Sequence, residues 1–531
     1  MRPDSPIPST RGLVRASTCG IGLGALLGLG CIVHVDTGSK DPTTTPDRAD
    51  APIELAPSIQ LPVPVDPSVS YAAWFAVGSQ DDPPGKEGLA WLTANMLAEG
   101  GTTEHPWQEI VELLYPMAAG WGATVDREMT VVYGRSHIET AGSFQTLLMQ
   151  QWTDPGFDPK DFERLRSDAR SYLEKSLRYA SDEELGKAGL EAFVFEGTSY
   201  AHPSIGTVAG LDAITLDDVR AFYGAHYTKD RVTFAIGGGF DPPQLGALEA
   251  SGEALPPAAS AAPTPAPETA AFEGRHLLVI DKPGADASIS FGHPIDLQRG
   301  EPDFYALWLA NSWLGEHRNS SSHLFQVIRE LRGLNYGDYS YIEAFPQGGF
   351  RQMPPTGVGR RAQLFQVWIR TLPNNQAHFA LRAAHRELVR LVDEGMTQAQ
   401  FELTRDFLRK YALHFADTTG DQLGYAIDDR FYGIDGSHLA RFQTALDDMT
   451  LEQVNAAIKR HIDPDNMKFV IVTGDAQGLS EAIIADAPAT IEYPSPKSEE
   501  ILAQDELIGA HKLGIPAANV STVSVDSMFA D

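Results

Sequence analysis

The side chains that could bind a metal ion are concentrated in the segment GEHRNSSSH, which holds Glu316, His317 and His323, with His293 upstream. Imidazole nitrogens and carboxylate oxygens are the usual protein ligands of zinc. Two ligands on one helical face stand three or four residues apart, whereas His317 and His323 are six residues apart. We therefore predict surface histidines, or histidines that orient neighbouring groups, rather than a metal site.

Other catalytic patterns are weak in this sequence. The only cysteines are Cys19 and Cys31, so the chain beyond them has no disulfide, cysteine nucleophile or thiolate metal site. No GxSxG motif marks a serine nucleophile, and the glycine-rich segment FAIGGGF lacks the Lys-Ser/Thr pair of a phosphate-binding loop. A Ser-His-Asp triad built from distant positions stays open, because triads are recognised by geometry.

A helix suited to carrying ligands follows an extended segment near the start of the chain. The stretch GLAWLTANMLAEGG, residues 88–101, is predicted to be one amphipathic helix closed by a glycine pair. It contains no histidine, and its only carboxylate is Glu99, close to the C-terminal end. This helix therefore offers no imidazole to a metal ion.

Composition restricts the class of protein and its partners. The chain has 531 residues, of which 43% are hydrophobic, enough for more than one packed core. Its net charge of −30 argues against binding nucleic acid through a basic surface. We therefore expect a multidomain globular protein with no nucleic-acid partner.

The N-terminus predicts export. Arg2, Arg11 and Arg15 precede the apolar run CGIGLGALLGLGCIV, which is too short to span a bilayer by itself. The run ends in LGLGC and resembles a bacterial lipoprotein signal. We predict cleavage and acylation at Cys31, a lipid anchor in a membrane, and localisation in the cell envelope. An ordinary secretory signal and an uncleaved anchor are the alternatives.

Two polar, proline-rich segments divide the rest of the chain. One follows the leader and reads as a flexible tether, and the other is an Ala/Pro-rich stretch without periodicity that indicates an interdomain linker. The tail ends in VSTVSVDSMF, which we expect to add a strand or to pack against the body. The predicted division is signal peptide 1–31, tether 32–60, N-terminal domain 61–250, linker 251–274, C-terminal domain 275–490 and tail 491–531.

The sequence matches itself on the two sides of the linker. The matching pairs are FERLRSDARSY at Phe162 with FELTRDFLRKY at Phe401, EELGKA at Glu183 with DQLGYA at Asp421, LDAITLDDVRA at Leu211 with LDDMTLEQVNA at Leu446, and WLTANMLAE at Trp91 with WLANSWLGE at Trp308. The matches keep their order, which indicates the duplication of one unit of about 200 residues.

Each unit has the same predicted order of elements: an extended opening, a helix, alternating strands, two or three helices and a closing strand. In ATVDREMTVVYGRSHIE, for example, Val125, Met129, Val131 and Tyr133 recur with a period of two. The predicted fold class is α+β, with two tandem duplicated domains that each contain a mainly antiparallel sheet backed by helices.

The duplicated unit, the segment AHPSIGTVAGLDAITLDDVRAFYGAHYTKDRVTFAIGG and the segment LFQVIRELRGLNYGDYSYIE together resemble the pitrilysin/insulinase family of zinc metallopeptidases. The resemblance covers about residues 70–490. It implies that two such domains form half of a clamshell, which a second pair in the same or another chain closes. It also implies that peptide substrates are added as a strand to a sheet edge.

The catalytic helix of that family carries His-x-x-Glu-His, which places two zinc ligands and a general base on one helical face. The motif aligns on Trp91, Ala94 and Asn95 of this chain, none of which suits zinc or can serve as the base. Near the expected third ligand, Glu174 is the nearest glutamate, with Tyr172 beside it. The resemblance thus implies a degenerate zinc site, with no metal or cofactor bound by this chain and zinc held by a partner.

Family active sites also use an arginine and a tyrosine seven residues apart, an arrangement found here as Arg329 and Tyr336 in RELRGLNY. The resemblance implies that both donate hydrogen bonds toward the charge that develops on the scissile carbonyl. Without the resemblance, Arg329 is a solvated helix residue and Tyr336 a packed strand residue.

Some family heteromers divide the work between a subunit with the zinc helix and a subunit with the Arg/Tyr pair. This chain resembles the second type, which implies that it is inactive alone and cleaves peptide substrates only with a zinc-bearing insulinase-family subunit. The alternatives are a stand-alone peptide-binding or chaperone-like envelope scaffold and an autonomous hydrolase with an unrecognised centre.

Overall fold

A computed structural model describes residues 58–257, 262–269 and 271–531. The first half of the chain opens with a short strand and closes with a helix before the Ala/Pro-rich linker. Its elements are β1 (Ile59–Pro62), β2 (Ser68–Phe75), α1 (Leu89–Glu99), α2 (Trp107–Leu114), β3 (Gly120–Val125), β4 (Thr130–His137), α3 (Ala141–Thr153), α4 (Pro159–Ser171), α5 (Asp182–Val194), α6 (Val208–Ala213), α7 (Leu216–His226), β5 (Val232–Gly238) and α8 (Pro242–Ser251).

The second half repeats this order and adds a helix and a strand from the tail. Its elements are β6 (Arg275–Asp281), β7 (Ala287–Ile295), α9 (Pro302–Gly315), β8 (Asp338–Tyr341), β9 (Gln363–Leu372), α10 (Asn374–Glu394), α11 (Gln398–Tyr411), α12 (Thr419–Phe431), α13 (His438–Asp448), α14 (Leu451–His461), β10 (Met467–Thr473), α15 (Ala476–Ala485), α16 (Glu499–Ala510) and β11 (Val520–Ser524). Two wider, π-helical segments, Tyr172–Ala180 and Phe325–Glu330, follow α4 and precede β8.

The two halves build sheets with the same strand order. The first sheet runs β1-β5-β2-β4-β3, and the second runs β6-β10-β7-β9-β8 with β11 added outside β6. The pairs β2–β5, β2–β4 and β3–β4 are antiparallel, as are their counterparts β7–β10, β7–β9 and β8–β9, whereas β1–β5, β6–β10 and β6–β11 are parallel. The predicted α+β class, with two duplicated and mainly antiparallel sheets backed by helices, is confirmed.

The duplication also extends to the signals that start the helices. Thr215 caps α7 by accepting a hydrogen bond from the backbone of Asp218, whose side chain accepts one back from the Thr215 backbone. Thr450 and Gln453 form the same reciprocal capping box at α14. Such boxes satisfy two backbone N–H groups that a helix start leaves unpaired, so the matching sequences begin matching helices.

Each half contributes one helix to the sheet of the other half. Helix α5 packs on β7 and β10 of the second sheet, and helix α12 packs on β5, β1 and β2 of the first sheet. Leu423, Ile427 and Phe431 of α12 are buried in one cluster with Trp74 and Val131 of the first sheet. This reciprocal helix exchange joins the two halves through their cores.

The tail completes the second sheet and then reaches the first half. Strand β11 pairs in parallel with β6, with Val520 opposite Leu277. Beyond it, Met528 and Phe529 are buried in the core of the first half, and the Phe529 carbonyl accepts a hydrogen bond from the Val208 backbone. The predicted strand and the predicted packing of the tail both occur.

Candidate functional site

Helix α1 carries the degenerate zinc-motif positions, and its start is fixed from outside the helix. The buried carboxylate of Asp82 accepts hydrogen bonds from the backbone N–H groups of Gly88, at 2.7 Å, and Ala90, at 2.6 Å. Gly88 has a φ of 108°, a conformation that glycine adopts without steric cost. Burial raises the pKa of Asp82 well above its ordinary value, although both hydrogen bonds act against this.

The three motif positions do not fit a zinc ion. Trp91 lines a cavity, Ala94 is fully buried, and Asn95 donates its side-chain amide to the Trp91 carbonyl at 2.8 Å. The asparagine is thus hydrogen-bonded to its own helix one turn back. Throughout residues 58–257, 262–269 and 271–531, no group of three or more His, Cys, Asp or Glu side chains is arranged to hold a metal ion.

Glu174, the glutamate nearest the expected third ligand, belongs to an ion-pair network. It lies in the π-helical segment after α4 and contacts Arg170 at 3.3 Å, while Arg170 also pairs with Asp212 at 2.6 Å. Glu174 does not line the cavity, although Tyr172 does. A carboxylate engaged in this way is not placed to help Trp91 or Asn95 bind a cation.

The cavity beside Trp91 has a volume of about 530 Å³ and lies between the two halves. One wall is formed by α1, α4, α5 and the end of β3, and the other by the segment from Ala344 to Trp368. The lining combines aromatic rings, including Trp91, Tyr172 and Trp368, with charged side chains from both halves. The space therefore offers both apolar and charged surface to a ligand.

A buried ionic network lines part of the cavity and ties the halves together. Arg127 contacts Glu191 at 3.1 Å, Arg360 contacts Asp126 at 2.7 Å, and Arg360 also pairs with Glu191. Burial raises the pKa of Asp126. Burial alone would also raise the pKa of Glu191, but the nearby guanidinium groups of Arg127 and Arg360 lower that pKa below its ordinary value. Removing one partner would leave an uncompensated buried charge.

Sequence reasoning missed this network. The acids and arginines DRE at 126–128 and RR at 360–361 look like ordinary polar segments in the sequence. The structure instead buries them against each other, and Arg361 pairs with Glu128 across the two halves. The only sequence signal is the coincidence of three consecutive charges within an otherwise apolar hairpin.

Strand β3 presents a free edge at the cavity. It is the outermost strand of the first sheet and pairs only with β4 in the described part of the chain. Its last residues, Thr124 and Val125, line the cavity, and the Trp121 indole donates a hydrogen bond to the Ala98 carbonyl of α1 at 2.8 Å. The open edge is thereby held beside helix α1.

Arg329 and Tyr336 lie elsewhere, on the surface of the second half. Arg329 is in the π-helical segment before β8, pairs with the adjacent Glu330, and lies over the Phe325 ring at 5.4 Å. Tyr336 stands two residues before β8 and is 79% exposed. Neither residue lines the cavity beside Trp91. The structure places both at the helix-to-strand turn but does not join them to the motif positions.

The histidines of GEHRNSSSH have separate partners. His317 contacts the Tyr341 hydroxyl and donates to the Arg351 carbonyl at 2.9 Å, and burial lowers its pKa to about 4. His323 pairs with Glu387 at 2.8 Å. His317 is buried and His323 is partly buried, so neither is the surface histidine that the sequence allowed.

The predicted leader, Cys31 and most of the tether lie outside the described residues. Within the described part of the chain, no helix is both long and apolar enough to cross a bilayer.

Two family models match the chain. The one described as Insulinase (Peptidase family M16) matches residues 62–205, and the one described as Peptidase M16 inactive domain matches residues 213–408. An uncharacterized zinc protease of Streptomyces coelicolor is 26% identical over 68% of this chain and 73% of its own length. A protein of Helicobacter pylori named as a non-peptidase homolog is 22% identical over 73% of this chain and 84% of its own length.

Solved structures show the same fold. A peptidase M16 inactive domain from Pseudomonas fluorescens superposes with a TM-score of 0.67 at 23% identity, over 78% of this chain and 94% of that one. A chain of Complex III2 from Candida albicans superposes with a TM-score of 0.60 at 15% identity, over 78% of this chain and 92% of that one. The duplicated sheets, the matched family models and the altered motif on α1 agree, and the chain belongs to the insulinase family of peptidases as a member whose zinc motif is degenerate.

Proposed function

We propose that this chain is the non-catalytic, substrate-binding subunit of a heteromeric zinc metallopeptidase, in which Arg329 and Tyr336 act in the site of a zinc-bearing partner. The observation that carries the proposal is the position of this pair. Tyr336 is 79% exposed and the Arg329 side chain is 37% exposed, and both lie outside the cavity of their own chain. A guanidinium and a phenol on an outer surface are available to a second molecule.

In this arrangement the partner's zinc would activate the attacking water. Arg329 and Tyr336 would donate hydrogen bonds to the substrate carbonyl, whose oxygen gains negative charge as the bond is attacked. Arg329 would exchange its contact with Glu330 for this oxygen. That exchange costs little, because an exposed ion pair contributes at most about 1 kcal/mol.

The free edge of β3 supports the substrate-binding part of the proposal. An extended peptide can pair with an unpaired strand through backbone hydrogen bonds, which give affinity with little dependence on sequence. Because Thr124 and Val125 line the cavity, a peptide added to β3 would run beside Trp91. The chain would thus hold substrate without cleaving it.

The proposal includes the location: the subunit would lie in the cell envelope, tethered to a membrane by acylation of Cys31. Mass spectrometry of the mature protein tests this assignment: a diacylated or triacylated N-terminal cysteine is expected, and a Cys31→Ser variant should be released from membranes. A mature N-terminus at another residue would contradict it.

Peptide hydrolysis by mixed subunits tests the division of labour. We expect this chain alone to be inactive and a mixture with its nearest zinc-bearing homologue to cleave. In the mixture, Arg329→Ala and Tyr336→Phe should each lower kcat, Arg329→Ala by about 100-fold. Arg460→Ala, at a side chain that is 61% exposed, is the matched control and should leave the rate unchanged. A silent mixture, or an Arg329→Ala variant as fast as the unmodified chain, would disprove the proposal.

A second candidate is a stand-alone peptide-binding scaffold in the envelope. It is favoured by the presence of both the cavity and the free β3 edge within a single chain. Peptide binding by the purified chain, without co-purification of any zinc-bearing homologue, would select this candidate. Cleavage by this chain alone would instead select an autonomous hydrolase.

A further inference from the structure

The charged side chains that line the cavity are nearly all neutralised by partners. The pairs are Arg127 with Glu191, Arg360 with Asp126, Lys187 with Glu184, and Glu99 with Arg164. Asp168 and Arg351 are the two exceptions: in the described residues neither side chain has a hydrogen-bond or ion-pair partner. They carry opposite charges and come from opposite halves of the chain.

Asp168 lies on a wall suited to a cation. Tyr172 follows it by four residues, so the two side chains share one face of the helix. Trp91 joins this wall from α1, which packs against α4. A carboxylate beside two aromatic rings attracts an ammonium or guanidinium group through charge and through the negative faces of the rings.

Arg351 lies on the opposite wall, in the segment between β8 and β9. Its Nε is buried and has no hydrogen-bond acceptor in the described residues. Arg351 as a whole is only partly buried, but a buried guanidinium N–H without an acceptor is unfavourable. A carboxylate is the natural partner, because it can accept two parallel N–H bonds.

We propose that the cavity binds a dipolar peptide, with a cationic group at Asp168 between Trp91 and Tyr172 and a carboxylate at Arg351. The ligand would bridge the two halves beside the β3 edge. The two charges can come from the termini of a short peptide or from basic and acidic side chains of a longer one. This inference rests on the substrate-binding part of the proposed function and does not depend on a catalytic partner.

Calorimetry on the purified chain at low ionic strength tests the inference with three tetrapeptides. The first is tetraalanine with free termini, the second is acetyl-Lys-Ala-Ala-Glu-amide, and the third is acetylated and amidated tetraalanine, which has no charge. We expect at least one charged peptide to bind about tenfold more tightly than the uncharged one, since hydrogen bonds to charged groups are stronger than neutral ones. Which charged peptide binds distinguishes termini from side chains. Equal binding of all three, or no binding of any, would overturn the inference.

Two variants locate the charges. Asp168→Asn and Arg351→Gln should each weaken binding of the charged peptide by about tenfold. Neither substitution should change binding of the uncharged peptide. Asp217→Asn and Arg460→Gln are matched controls at side chains that are 90% and 61% exposed, and neither should change binding. A loss no greater in Asp168→Asn than in Asp217→Asn would refute the assignment. Peptide binding by this chain tests the cavity, whereas hydrolysis by the mixed subunits tests the division of labour. Either proposal can therefore fail while the other holds.

Discussion

Helices α1 and α9 occupy equivalent places in the two halves, yet their aligned tryptophans have different surroundings. Trp308 of α9 stacks on Phe442, with ring centroids 3.8 Å apart and planes 4° apart, and also stacks on Phe415 at 5.4 Å. Trp91 of α1 instead lines the cavity. The duplicated helix has become structural in one half and faces a ligand-sized space in the other.

The same contrast holds at the ends of these helices and at the sheet edges. Glu316, which aligns with Glu99, is buried, whereas Glu99 is exposed at the cavity. Every residue of edge strand β8 is buried, whereas every residue of β3 is at least partly exposed. The two halves thus share one strand order, while equivalent residues differ in how far they are buried.

Replacing the two aligned tryptophans tests the contrast most strongly. Trp308→Ala should lower the free energy of unfolding by about 3 kcal/mol, because it removes a partly buried ring that stacks on the core residue Phe442. Trp91→Ala should lower the free energy of unfolding by clearly less, since the Trp91 ring already lines the cavity. Urea denaturation of both variants measures the difference. Equal losses would show that Trp91 is as much a core residue as Trp308.

The aligned glutamates should differ in the pH dependence of stability. Burial raises the pKa of Glu316 to about 7 from an ordinary 4.5. Between these values the folded state keeps a proton that the unfolded state has lost, so Glu316 makes the protein less stable as pH rises from 4.5 to 7. Glu316→Gln should remove this dependence and exceed the unmodified chain in stability by up to roughly 3 kcal/mol above pH 7.

Denaturation at several pH values between 4.5 and 8 checks the prediction for Glu316. Glu99→Gln is the matched control from the other half. It should change stability by less than about 1 kcal/mol, because Glu99 is exposed and pairs with Arg164 only at 3.4 Å. A Glu316→Gln variant that follows the pH profile of the unmodified chain would contradict the assigned pKa.

Replacing the aligned glycines of the exchanged helices α5 and α12 with alanine should give the smallest difference in stability between the two halves. A Cβ at Gly424 of α12 would lie 2.2 Å from Thr356 Oγ1 and 2.8 Å from its Cβ, so the backbone must shift. A Cβ at Gly186 of α5 would lie 3.3 Å from Ser290 Oγ, which a small rotation relieves. Gly424→Ala should cost about 1–2 kcal/mol, while Gly186→Ala should be close to neutral because alanine favours the helix. Thermal melts that reverse this order would show that α12 packs less tightly than α5.

The sequence predicted the features that depend on local patterns. The helix predicted within residues 88–101 occurs as Leu89–Glu99, and the matched segments at Leu211 and Leu446 lead into the matching helices α7 and α14. The altered motif at Trp91, Ala94 and Asn95 was also visible, because the resemblance to the insulinase family places His-x-x-Glu-His at these positions. These features follow from periodicity and capping, which act over a few residues.

Features that depend on distant contacts were not visible. The repeats EELGKA and DQLGYA marked α5 and α12, but nothing in them shows that each helix packs on the opposite sheet. The unpaired charges of Asp168 and Arg351 become significant only when the cavity brings their walls together. The change to π-helical winding at Tyr172, directly after α4, was not visible either.

The reciprocal helix exchange has a consequence for how this protein is made. The first sheet lacks the cover of α12 until residues 419–431 have been synthesised and reach it, so the first half cannot complete its packing before then. The same reciprocal exchange of a segment occurs in domain-swapped dimers, where each of two identical subunits places one element in the other. Helices α5 and α12 therefore relate the two halves of this chain as swapped elements relate the two subunits of a homodimer.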